Sequence, residues 1–103
     1  MKEKDQFENA RQFLGCYFHQ DFCDEFGEPE IAVERFVQEN SAEFRGAVAR
    51  ELDRAIAECD DRQLTDLIFS LGCYYSPDRH RGVSMREWLG KVIAALERSL
   101  TEK

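Results

Sequence analysis

The sequence predicts an all-α fold: a compact single domain of about five packed helices spanning residues 1–103. Three observations carry this. Apolar residues recur at three- and four-residue spacing through five stretches, and a capping residue or proline stands where each begins. No stretch of useful length alternates apolar and polar residues as a strand would. At 103 residues the chain can build a modest core without staples and has no room for a second domain. Eight Phe, three Tyr and one Trp supply enough apolar area to argue against disorder, despite a low mean hydropathy.

The first helix is expected from Asp5 to Phe18, with Phe7, Ala10, Phe13, Leu14, Tyr17 and Phe18 near helical spacing and Asp5 with Glu8 as a capping pair. Gly27 and Pro29 force an end before the next element, so residues 21–27 read as a turn. Pro29 to Glu39 is the second helix. It is expected to place Ile31, Val33, Phe36 and Val37 inward, with Glu30, Glu34 and Gln38 on the opposite side. Asn40 or Ser41 caps the third helix, Asn40 having the capping-box spacing to Glu43; it runs to Cys59 with Phe44, Val48, Leu52 and Ile56 along one seam. Arg45, Arg50, Glu51, Asp53 and Arg54 are expected mostly outward. Gly46 weakens this helix by roughly 1 kcal/mol relative to Ala, which suggests a close neighbour.

Asp60 with Gln63 fits another cap, and Leu64, Leu67, Ile68 and Leu71 give a short fourth helix closed by Gly72. Residues 73–83 read as a loop, with a turn at Ser76-Pro77-Asp78 and an exposed Arg79-His80-Arg81-Gly82. One of Tyr74 and Tyr75 packs inward and the other stays exposed; the sequence does not choose between them. Ser84 with Glu87 is the clearest capping box, opening a last helix through Trp88, Leu89, Val92, Ile93, Leu96 and Leu100. The tail from Thr101 to Lys103 is expected to fray.

Charge is unevenly placed. Between His19 and Glu43 eight carboxylates (Asp21, Asp24, Glu25, Glu28, Glu30, Glu34, Glu39 and Glu43) face the single base Arg35, a net charge of −7. The remaining 13 acids and 13 bases balance, so one region carries the negative field. Two readings stand: a solvated face that keeps the protein soluble, or a docking surface for a basic partner. The acidic balance argues against nucleic acid and anionic lipid as direct partners. No apolar run approaches the roughly 18 to 20 residues that span a bilayer, so no membrane partner is expected. The charged start at Met1-Lys2-Glu3-Lys4 has no apolar signal core, which points to a cytoplasmic protein with Cys16, Cys23, Cys59 and Cys73 reduced.

The stretch Tyr17-Phe18-His19-Gln20-Asp21-Phe22 mixes bulky rings with polar groups that need partners when buried, and it reads as a polar knot within a core. Its chemistry has enzymatic alternatives. Cys16, His19, Asp21 and Cys23 can all ligate zinc, but their spacing does not pair two close ligands with two distant ones, and unliganded core cysteines are the plainer reading. Cys16 and His19 lie three residues apart as a nucleophile–base pair would, yet no oxyanion hole accompanies them. Trp88, at the head of an amphipathic stripe, is expected in the core rather than at an interface, and His80 among arginines is expected to be solvated. These readings imply no enzyme, no catalytic residue, no metal and no other cofactor.

Leu14-Gly15-Cys16-Tyr17-Phe18-His19-Gln20-Asp21-Phe22, then Leu71-Gly72-Cys73-Tyr74-Tyr75-Ser76-Pro77, then Ser84-Met85-Arg86-Glu87-Trp88-Leu89 resemble, in order and spacing, an immunity-protein family of bacterial contact-dependent growth-inhibition systems. The resemblance runs from about Phe13 to Leu96 and departs at Phe22, where the family more often has Trp. It implies a cytosolic inhibitor that binds the C-terminal toxin domain delivered by a neighbouring cell, in many systems a nuclease. The motifs carry no assignment of toxin contacts. Charge clustering nominates Asp24, Glu25, Glu28, Glu30 and Glu34 for that role. The competing reading from composition is an acidic helical adaptor that binds a basic host protein.

Overall fold

The computed structural model describes residues 7–19 and 28–101, and among them the chain forms helices without strands. The elements are α1 (Glu8–Tyr17), α2 (Pro29–Glu39), α3 (Ala42–Glu58), α4 (Asp61–Ser70), α5 (Pro77–Arg81) and α6 (Met85–Thr101). The five longer helices are those expected from apolar spacing. The short α5 corrects the expected loop: Ser76 accepts from the Arg79 N–H at its start, Pro77 takes the first position, and Gly82 closes it with φ +71°.

The junctions from α2 onward have local causes. Pro29 follows an extended Glu28 and starts α2 where a missing N–H costs nothing. Ser41, not Asn40, caps α3 by accepting from the Phe44 N–H at 3.2 Å. Asn40 turns back instead, and its side-chain amide donates to the Phe36 carbonyl at 3.0 Å, satisfying an orphan acceptor at the end of α2. The Asp60–Gln63 box has both halves in place, and Ser84 accepts from the Glu87 N–H at 3.0 Å.

The start of α1 is capped from a distance. Asp5 lies outside the described residues, and Phe7 at the helix boundary has no side chain able to accept. Glu51 of α3 does so: one carboxylate oxygen accepts from the Ala10 N–H at 2.8 Å and the other from Asn9 Nδ2 at 2.7 Å. This corrects the outward placement expected for Glu51. In α2 the buried stripe is Pro29, Ala32, Val33 and Phe36, while Ile31 is 45% exposed. Ile31 and Val33 are two residues apart, about 200° around a helix, so both cannot face one core.

α6 packs against α2, α3, α4 and α5, most extensively α3, while α1 lies on α2 and α3. Gly46 of α3 sits beside Leu100 of α6, whose Cδ1 would lie 3.6 Å from an added Cβ. Through the middle runs a line of rings: Phe44 to Phe36 at 5.5 Å, Phe36 to Phe13 at 4.5 Å, Phe13 to Phe18 at 5.5 Å and Phe18 to Trp88 at 5.1 Å. Several meet edge to face, which opposes positive ring edges to negative faces. Among the described residues no polar or charged side chain is buried, so this core is held by apolar packing.

Candidate functional site

The three sequence motifs converge in space. Gly72, at φ +108°, ends α4 in a conformation that favours glycine, and a Cβ there would approach the Gly15 Cα to 3.3 Å. That close approach lets the Tyr74 N–H donate to the Phe18 carbonyl at 2.7 Å, tying the end of α1 to the segment after α4. Phe18, Tyr75 and Trp88 then form a triangle with centroid separations of 5.1–6.0 Å. Trp88 is 6% exposed and belongs to the core, and the tyrosine pair resolves with Tyr75 at 2% and Tyr74 at 65% exposure.

Of the expected polar knot, Phe18 is fully buried and His19 half-buried, and Gln20, Asp21 and Phe22 lie outside the described residues. Tyr17 is half-buried and donates its hydroxyl to Glu39 Oε1 at 2.6 Å; desolvation, with that carboxylate beside it, raises the phenol above its ordinary value. Arg86 of α6, unassigned by the sequence, ties α6 to α4 and to the end of α3. It donates to the Asp61 carboxylate at 2.8 Å and to the carbonyls of Ile56 and Cys59 at 2.8 and 2.7 Å, closing the end of α3. A basic residue inside a family motif was its only sequence signal.

Of the nominated acids, Asp24 and Glu25 lie outside the described residues, while Glu28, Glu30 and Glu34 are all exposed. Two of these three have local work. Glu28 stands at the N-cap position of α2, Glu30 in its first turn suits the positive end of the helix dipole, and Arg81 of α5 reaches both. Its guanidinium grips Glu30 bidentately at 3.0 Å, which together with Lys91 holds that carboxyl below the usual range. Glu34 has no ion pair of 4 Å or less among the described residues and is the uncommitted carboxylate of the helix.

The acidic stripe does not form the back of α2, as expected, but one edge of a groove. Glu30, Glu34 and Gln38 flank a cleft of about 490 Å³ between α2 and α6. Val33, Val37, Val92 and Ala95 contribute its apolar floor, and Lys91 and Arg98 stand on the α6 side. The rims therefore carry opposite charge. The sequence concealed this because Lys91 and Arg98 lie some 60 residues from the acids and look like ordinary positions in a balanced segment.

The enzymatic alternatives find little geometry. Cys16 is exposed on α1, and Cys73 is buried with its thiol donating to the Tyr75 carbonyl at 3.4 Å. Burial pushes the Cys73 thiol up to about 12, the reverse of an activated nucleophile. Among the described residues no three His, Cys, Asp or Glu side chains gather as a metal site; Asp21 and Cys23 lie outside them. No described helix is long and apolar enough to cross a membrane.

Comparison with known proteins identifies the same architecture elsewhere. A family model described as CdiI immunity protein matches residues 6–96. Among solved structures, a chain from the crystal structure of the CdiA-CT/CdiI complex from Y. kristensenii 33638 matches with a TM-score of 0.83 and 26% identity, covering 94% of this chain and 99% of the other. No curated protein matches significantly.

Proposed function

The chain belongs to the CdiI immunity protein family, and from that premise we propose that it neutralises one cognate CdiA-CT-type toxin domain in the cytoplasm by stoichiometric occlusion. Turnover chemistry is not required of it. A similar chain, from Y. kristensenii 33638, comes from a structure described as a complex with CdiA-CT, which supports a protein partner of that kind. The observation that carries the docking assignment is the concentration of the whole net charge between His19 and Glu43. If the toxin is a nuclease, it presents a cationic cleft to phosphates, and Asp24, Glu25, Glu28, Glu30 and Glu34 stand in for those phosphates. An interface of about 800 Å² per partner is a modest share of the 6336 Å² surface, and α2 with its flanks supplies its centre.

The test is a titration of this protein against the cognate toxin domain, following complex formation and toxin activity together. One-to-one binding with loss of activity is the expected result. Binding without inhibition removes occlusion, and no binding returns the acidic adaptor reading.

A further inference from the structure

Resting on the immunity reading, we propose that the groove between α2 and α6 seats one amphipathic segment of the toxin domain, with basic side chains along one edge and acidic side chains along the other. A uniformly acidic face would ask only for a basic partner. This groove asks for more, because Glu30 and Glu34 stand across it from Lys91 and Arg98. A segment carrying only cations would gain at the α2 rim and be repelled at the α6 rim, so the two signs together fix which way it lies.

The dimensions suit an anchoring site. Along α2 the lining residues run from Pro29 to Gln38 and along α6 from Trp88 to Ser99, about 14 to 16 Å at 1.5 Å per residue. Two turns of an amphipathic helix, with anchors at i, i+4 and i+7, cover about 10 Å and fit within that length. The floor offers apolar contact at half-buried Val37 and Ala95 over the buried Val33 and Val92. Arg81 already holds Glu30, so an incoming cation must displace or share that guanidinium, whereas Glu34 is available at once. Glu34 is therefore the first contact on the acidic rim.

Three variants test this, each checked for unchanged helix content and Tm before binding to the cognate toxin domain is measured. Ala95→Glu places a charge in the floor, Lys91→Glu cancels the net positive charge of the α6 rim, and Glu34→Lys cancels the net negative charge of the α2 rim. The groove predicts a loss of affinity of at least about a hundredfold for A95E and about tenfold for each rim variant, since cancelling the charge of either rim disrupts the pairing. If K91E instead binds as well as or better than the wild type, the opposite-sign rim is irrelevant and the proposal fails. If all three bind like the wild type, the toxin docks elsewhere while the immunity reading stands. Failure of the wild type itself to bind overturns both. Sedimentation of wild type and A95E separates the remaining occupant: a dimer that A95E dissolves, with toxin binding intact, makes the groove a self-interface and overturns the proposal.

Discussion

Phe18, Tyr75 and Trp88 meet ring against ring in the buried core, whereas Glu34, Lys91 and Arg98 edge an open groove between α2 and α6. Trp88 contributes to both regions, which makes the contrast sharp. In the first, removing atoms leaves a cavity that the close-packed surroundings fill only partly, so sequence changes are read out as stability. In the second, charges sit in water, where screening keeps their mutual energies small but lets their summed field act on an approaching molecule. One region determines whether the protein folds; the other is proposed to determine what it meets.

The largest expected effect comes from breaking the first region. Trp88→Ala should cost about 3–5 kcal/mol, because the ring contacts Phe18 and Tyr75 and borders the α2–α6 packing. Denaturant unfolding measures it. Affinity for the toxin, expressed per folded molecule, should fall far less; an equal loss of both would merge the two regions.

Alkaline titration comes next. The Cys73 thiol is raised from 9.0 to about 12 in the folded protein, so the folded state holds its proton where the unfolded chain loses it. Stability contributed by this group is therefore complete below pH 9 and declines as pH rises toward 12. At 1.36 kcal/mol per pH unit the decline from this thiol is at most about 4 kcal/mol. Cys73→Ala should flatten the curve in that window, and an unaltered slope measured by chemical denaturation would contradict the assignment.

A smaller effect is expected at the start of α1. Glu51→Ala removes the acceptor of the Ala10 N–H and should cost about 1–2 kcal/mol, with faster amide exchange in the first turn of α1. Exchange unchanged at Asn9 and Ala10 would mean that the cap contributes nothing.

These three sites also differ in how far the sequence revealed them. The helices and the burial of Trp88 were legible because period, capping residues and proline act within a few positions of each other. Asp60 with Gln63 specifies a helix start without help from the rest of the chain. Glu51 was misread because α1 lacks a cap among its described neighbours and takes one from a residue more than 40 positions away. Ile31 was misread because hydrophobicity alone placed it inward, against the geometry of its own helix. The groove was illegible for a related reason: its two rims lie some 60 residues apart in the chain, and only packing brings Lys91 near Glu30. Arg81, read as an exposed loop residue, is also a partner of Glu28 and Glu30 because its side chain reaches from α5 to the start of α2.

The most direct measurement is the association rate of the cognate toxin domain with the wild type and with the Glu30→Lys, Glu34→Lys double variant, taken at low and high salt. Both positions are exposed, so the account predicts a retained fold with only a small drop in Tm from the lost Glu30–Arg81 pair, association slowed by at least about tenfold at low salt, and a gap that narrows as salt screens the field. Equal association rates at low salt would contradict the claim that the acidic face of α2 guides the toxin to its inhibitor.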